Sequence, residues 1–286
     1  MRSLNRTIRI AILALAAVLA AAFGSWFLAT QGDRPTESEP PLKVRPVTTH
    51  SIAPDDGAPP EKGEAVASAE QIALREKIGQ TPEYQPFFER LRALYPADYE
   101  AALKAEAGQG MDKTDAADLF LNESVRQLRQ NRGLIGAKAG GQALDHLFEL
   151  HLKVLRQLAV GDAALCVDFL NGAPAGRFGD FTGGHRALMA DWASAGLEAI
   201  SDGAEKKIDR EAPTPQDFDD LEKRLLDKGL DKAAIELLLD GKETNPPLTD
   251  EETCYNGIVY LEAIQSLPDL QRLRLYALAL EVMAHE

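Results

Sequence analysis

The segment TDAADLFLNESVRQLRQNR, residues 114–132, repeats its apolar residues at helical spacing: Ala117, Phe120, Leu121, Ser124, Val125 and Leu128 fall at i, i+3, i+4, i+7 and beyond. A 3.6-residue period puts these side chains on one stripe, the pattern of an α-helix with one buried face. Thr114 stands at the N-cap position. Asp115 and Asp118 lie early and Arg126, Arg129 and Arg132 late, as the helix dipole favours.

The same grammar recurs in both directions. Upstream, Ser68 and Gln71 have capping-box spacing ahead of a helix containing Ile72 and Ile78. Thr81 with Pro82 opens the next, with Phe87, Phe88, Leu91 and Leu94 on one face, and Pro96 opens another with Tyr99 and Leu103. Downstream, a long helix is predicted from about Gly141 to Val160, stopping at Gly161, and a shorter one from Ala164 to Leu170. The segment NGAPAGRFGDFTGG, Asn171 to Gly184, reads as a glycine-rich loop. A helix bearing Leu188, Met189, Trp192, Ala195, Ala199 and Ile200 follows and is expected to end at Gly203. Thr214–Pro215–Asp217 and Gly229 bracket another, and Asp231 to Asp240 forms a short helix stopped by Gly241. Thr249 with Glu252 and Ser266–Pro268–Asp269 start the last two.

No alternating run of β-branched and aromatic residues interrupts these signals, and no solenoid-type repeat is present. The fold class is all-α, with about ten helices over residues 68–286.

The first 67 residues are different in kind. Residues 10–28 read IAILALAAVLAAAFGSWFL, without a charge. At 1.5 Å per residue this run spans roughly 28 Å, close to the hydrocarbon thickness of a bilayer. Arg2, Arg6 and Arg9 precede it, which orients residues 1–9 to the cytoplasm and the C-terminal domain outward. A transmembrane anchor over residues 10–29 is the preferred reading, since the apolar run continues through Phe23, Trp26, Phe27 and Leu28. A signal peptide cleaved near Ala20–Ala22 is the alternative. Residues 30–67 form a flexible linker: seven of the sixteen prolines lie there and aromatics are absent, so too little apolar surface is available to offset ordering. Fully extended it would reach roughly 115 Å. The expected product is a single-pass protein whose acidic domain faces the periplasmic or extracytoplasmic side.

Charge narrows the function. The chain carries 31 Lys and Arg against 45 Asp and Glu, a net −14, and residues 1–67 hold seven of each sign. All net negative charge therefore sits in the helical domain, which disfavours nucleic-acid binding through a basic surface. GAKAGG, residues 136–141, lacks the G-K-[ST] of a P-loop, and no G-x-S-x-G or HExxH occurs. His146 and His151 are five apart, roughly 140° around a helix, poorly placed to share a metal. His151 falls on the stripe of Leu144, Leu147, Phe148 and Leu155 and reads as a core histidine. No catalytic set, metal site or cofactor is expected. Acid pairs such as Asp219–Asp220 and Glu251–Glu252 read as solvated surface.

Two candidates remain. Cys166 and Cys254, the only cysteines, are predicted to form a disulfide in an oxidising compartment; two buried thiols are the alternative. In the glycine-rich loop, Arg177, Phe178 and Phe181 could present a contact surface, since arginine and aromatics dominate binding hot spots. The plainer possibility is that the two phenylalanines tuck into the core. The function expected is a membrane-anchored, exported binding, scaffold or chaperone-like module for an envelope protein. The alternatives are an exported enzyme, such as a carboxylate-dependent hydrolase, and a soluble periplasmic protein released by signal cleavage.

Overall fold

The structure, a computed structural model, describes residues 68–107, 116–172 and 177–285. The predicted anchor, the linker and the Thr114 cap lie outside them. Among the described residues no helix is long and apolar enough to cross a membrane.

The described residues are all helical, with twelve α-helices, one 3₁₀ turn and no strand. In chain order they are α1 (Ala69–Gly79), the 3₁₀ turn Pro82–Tyr84, α2 (Gln85–Leu94), α3 (Pro96–Ala107), α4 (Ala116–Gly136) and α5 (Gly141–Gly161). They continue with α6 (Ala163–Leu170), α7 (Phe178–Gly184), α8 (Arg186–Lys206), α9 (Pro215–Asp227), α10 (Lys232–Asp240), α11 (Asp250–Gln265) and α12 (Asp269–Ala284). Two differences from the expected elements stand out: Thr81–Leu94 divides into a 3₁₀ turn and α2, and part of the glycine-rich segment forms an additional helix, α7.

The starts are where side-chain chemistry places them. Ser68, Thr214 and Thr249 each accept from the backbone N–H three residues on, and Gln71, Asp217 and Glu252 reciprocate to the cap's own N–H. Asp231 caps α10, and Gly241 ends it in the left-handed conformation. Gly203, in contrast, does not end α8. That helix runs on to Lys206, and the left-handed residue is Lys207.

The reason is a close helix crossing. A Cβ built on Gly203 would lie 2.0 Å from the carbonyl oxygen of Ile135 and 3.2 Å from the Ala139 nitrogen. Backbone meets backbone there, and only glycine permits it. Arg210 seals this end of α4 by donating Nη1–H to Ala137 O at 2.9 Å and Nη2–H to Ala139 O. The glycine is therefore a packing residue at this position.

The centre of the domain is built from α4, α5, α8 and α12. Helices α8 and α12 each pack against both α4 and α5. Helices α2 and α3 cover one side, where Phe88 stacks on Phe120 with ring centroids 4.7 Å apart. Helices α6, α9, α10 and α11 cover the other, tied by the Cys166–Cys254 disulfide between α6 and α11, with Cα atoms 5.7 Å apart. The expected bridge is thus present between two adjacent helices.

Buried carboxylates mark the joints between these layers. Asp118, 1% exposed, accepts from Tyr84 Oη at 2.5 Å and from Arg186 Nε and Nη2 at 3.0 and 2.9 Å, linking α4, the 3₁₀ turn and α8. Loss of hydration, with the Asp118 carboxylate beside it, pushes the Tyr84 phenol far above its ordinary range. Asp217 accepts from Arg274 Nη2 at 2.7 Å and Nε at 2.9 Å, fixing α9 to α12. Asp98 accepts from Arg132 Nε at 2.7 Å and Asn131 Nδ2 at 2.9 Å, fixing α3 to α4. Each of these three buried carboxylates has its counter-charge, as a low-dielectric interior requires.

Candidate functional site

The sites expected from sequence separate in the structure. Arg177 is exposed and its Nη1 lies 2.6 Å from Asp162 Oδ2. Phe178 is 3% exposed, and so cannot serve as an exposed contact as α7 stands. Its ring stacks on Phe169 at 5.4 Å and on Phe181 at 5.8 Å, and half-buried Phe181 stacks on His185 at 4.3 Å. Helix α7 is pinned by Thr182, whose hydroxyl donates to Phe178 O at 2.8 Å and meets the Asn122 side chain on α4. The packing alternative holds for Phe178, because a ring this size contributes about 2 kcal/mol or more when withdrawn from water.

The segment does contribute to a site, from inside. Between α4, α5, α8 and α12 lies a cavity of about 360 Å³, and Gly172, Phe178 and Gly179 complete its wall. Each helix supplies a face: Leu128, Arg129 and Gly133 from α4, Leu147, Phe148 and His151 from α5, Trp192, Gly196 and Ile200 from α8, and Leu280 and Met283 from α12. Two features of α8 explain why space remains. At Gly203 the α8 and α4 backbones touch, whereas at Gly196, about two turns earlier, a Cβ would meet nothing within 4 Å. A small residue that brings helices together at one level leaves a void at another when no larger side chain fills it.

Aromatic rings dominate one end of the cavity. His151 stacks on Phe169 at 4.8 Å and lies 6.2 Å from Trp192, and Phe169 lies 5.3 Å from Trp192. Burial among these rings, aided by the Arg129 guanidinium, pushes the His151 imidazole down to about 4. His151 therefore lines the cavity uncharged at neutral pH. The indole Nε1 of Trp192 is buried and meets no hydrogen-bond acceptor among the described residues. Donors in that position are uncommon in folded proteins.

Ionised groups stand at the rim. Glu123 accepts from Arg126 Nε and Nη2 at 2.8 and 2.6 Å and from Gln127 at 2.7 Å. Burial alone would raise its pKa, but these hydrogen bonds hold it below the usual glutamate value. Arg129 donates from Nη2 to Gly172 O at 2.8 Å, so it closes the 171–172 turn onto α4.

Among the described residues no group of three His, Cys, Asp or Glu comes together to hold a metal. His146 faces Glu198 at 3.5 Å on the surface, apart from His151. Of the acid pairs, Asp220 is bound by Lys223, Gln216 and Gln271, and Glu252 by the Thr249 cap. Sequence reasoning missed the cavity and Trp192 within it. The available signal was the spacing of Trp192, Gly196 and Gly203 on α8, where small residues interrupt an otherwise bulky face.

Comparisons with protein families, curated proteins and solved structures find no match to this chain.

Proposed function

We propose that this chain is a non-enzymatic binding module held at the extracytoplasmic face of a membrane, and that its working site is the cavity between α4, α5, α8 and α12. In this reading residues 10–29 anchor the chain, residues 30–67 tether it, and the helical domain holds a small apolar molecule within reach of an envelope protein partner. The tether would set the effective concentration of domain and partner.

The observation that carries the reading is the cavity itself: about 360 Å³, walled mainly by apolar side chains. Pockets for small molecules have this size and this lining. An engineered cavity of roughly 150 Å³ with apolar walls already takes up benzene. The disulfide between α6 and α11 is consistent with an oxidising compartment.

The exported-hydrolase alternative requires two carboxylates facing one cleft. Glu106 and Glu123 both reach the cavity lining, but Glu123 is engaged by Arg126 and Gln127 and held ionised, which argues for a structural rim.

Two measurements test the reading. A reporter active only in the periplasm, fused after Glu286, is expected to be active, and a fluorophore that matures only in the cytoplasm is expected to stay dark. The full chain in lipid nanodiscs is expected to bind naphthalene saturably, one per chain, above the uptake by empty nanodiscs. Gly196→Leu, which projects into the open space beside Gly196, is expected to abolish that saturable component while preserving helix content. A reversed topology would remove the export premise. Binding unchanged in Gly196→Leu would remove the cavity as the site.

A further inference from the structure

We infer that the ligand of this cavity is a single-chain lipid of about sixteen carbons with an uncharged, hydroxyl-bearing head, its head at the Asn122–Arg126 end of α4 and its terminal methyl at Gly133 and Gly136. The inference rests on the cavity reading and adds the shape and polarity that select among apolar molecules.

Three observations combine. The first is length. Helix α4 borders the cavity at Asn122, Glu123, Arg126, Arg129, Gly133 and Gly136. Three- and four-residue spacing puts these positions on one face, so the space runs parallel to the helix axis. The facing wall changes along the way. Thr182 ties α7 to Asn122, and Arg129 reaches the Gly172 carbonyl, whereas at Gly136 the neighbours are Ile200 of α8 and Leu280 of α12. From Glu123 to Gly136 is about 20 Å at 1.5 Å per residue. An extended hydrocarbon chain, with C–C bonds of about 1.5 Å in anti rotamers, advances about 1.25 Å per carbon, so about sixteen carbons match that distance. A volume of about 360 Å³ drawn out over it admits one chain and not two.

The second is a gradient of polarity. Every charged lining residue of α4 precedes Gly133. Beyond Arg129 the wall is Gly133 and Gly136 with Ala199, Ile200, Leu280 and Met283, and none of these carries a polar side chain. Gly133, Gly136, Ala199, Ile200 and Leu280 are buried, whereas Arg126 is exposed and Glu123 only partly covered. A Cβ on Gly133 would stand 2.7 Å from the Ala284 Cβ, so α12 closes on α4 there. The cavity thus has a polar mouth toward solvent and an apolar blind end. Such a gradient orients an amphiphile, whose tail leaves water while its head stays hydrated at the rim.

The third is the charge at the mouth. Arg126 donates from Nε and Nη2 to Glu123 and from Nη1 to Gln130. The ion pair neutralises itself and leaves neither sign in excess to hold a charged head stripped of water. Carboxylate oxygens and N–H groups stand side by side, and a hydroxyl both donates and accepts. The domain's net negative charge works further against a carboxylate head. A long-chain alcohol and a monoacylglycerol share the chemistry that remains. No bond is made or broken; the event is binding.

Two photoreactive hexadecan-1-ols test the seating, one with a diazirine at carbon 3 and one with it at carbon 15. The full chain in phosphatidylcholine nanodiscs is irradiated with each, with and without excess unlabelled hexadecan-1-ol, and tryptic peptides are mapped by mass spectrometry. Cleavage after Arg126, Arg129, Arg132 and Arg274 separates the two ends of the cavity. Only adducts that the excess alcohol suppresses are counted. Because the ends lie about 20 Å apart, the carbon-15 probe is expected to favour peptides 133–138 and 275–286 over peptide 114–126 by about fivefold or more, and the carbon-3 probe to invert that preference. Monopalmitoylglycerol as competitor separates the two sources: stronger suppression by it than by hexadecan-1-ol supports a glycerol ester, and weaker suppression supports the free alcohol. The same peptide pattern from both probes, or the reverse pattern, would overturn the inference. Suppression by palmitate at about tenfold lower concentration than by hexadecan-1-ol would overturn it in favour of an anionic head. Absence of suppressible adducts at either end would overturn it alone where naphthalene still binds saturably, and would remove the cavity reading with it where naphthalene does not.

Discussion

Gly196 and Gly203 lie two turns apart on α8 and should respond oppositely to the same substitution. At Gly203 an alanine Cβ would stand 2.0 Å from Ile135 O and 2.9 Å from its carbonyl carbon. Both are main-chain atoms of α4, so relief requires the two helices to separate by about 1 Å. Overpacking of this kind costs roughly 1–3 kcal/mol, and here it also disturbs the Arg210 bonds to Ala137 and Ala139. Alanine's better helix propensity returns about 1 kcal/mol, leaving Gly203→Ala destabilised by as much as about 2 kcal/mol. At Gly196 the new methyl meets nothing within 4 Å, so propensity acts alone and Gly196→Ala is stabilised by up to about 1 kcal/mol. In a domain of roughly 150–250 residues each kcal/mol moves the melting temperature by about 2–4 °C. Thermal unfolding followed by circular dichroism at 222 nm, with the disulfide intact, should separate the two variants by about 2–12 °C, Gly203→Ala the lower. Equal melting temperatures would refute the close crossing, and a destabilised Gly196→Ala would refute the open space beside α8.

Other consequences follow from the same contacts. Replacing Cys166 and Cys254 by alanine opens a loop closed over a separation of 88 residues and should lower stability by about 4 kcal/mol; a non-reduced digest of the native chain should yield the linked peptides by mass spectrometry. Arg274→Leu strands the Asp217 carboxylate, 1% exposed, without its cation and should cost about 3 kcal/mol or more by chemical denaturation, whereas Lys138→Ala, whose partner Asp209 is exposed, should leave the midpoint unmoved. His151 has a folded-state pKa of about 4 against the ordinary 6.5, so the unfolded chain binds the additional proton between those values. Its contribution is therefore intact above pH 6.5 and declines as pH falls toward 4, by about 3 kcal/mol at most. His151→Phe should flatten that part of the stability–pH curve, and an unchanged slope would show that His151 is not the titrating group.

Local signals carried most of the helix assignment. Ser68–Gln71, Thr214–Asp217 and Thr249–Glu252 are capping boxes in sequence and in space, because a cap is made within four residues and needs no distant partner. The apolar stripe of residues 117–128 likewise became the buried face of α4: Ala117, Phe120, Leu121, Ser124 and Leu128 are all buried. Helix α7 escaped notice because its glycines lower helix propensity. What holds it is tertiary: the buried Phe178 ring and the Thr182 contact with Asn122, some 60 residues away.

Sequence alone determined that this chain builds amphipathic helices with an acidic exterior, and that its two cysteines are the available bridge. Composition, period and capping are properties of neighbours along the chain. Only the tertiary structure decided what each helix face meets. Gly196 and Gly203 read alike as glycines within one helix, yet one borders a cavity and the other touches a backbone. Hydrophobic period selects the angular face of a helix but leaves open its axial offset and its distance from a partner, which depend on how side chains from several helices interlock. The cavity and the neutral His151 at its wall arise at that level, where α4, α5, α8 and α12 meet.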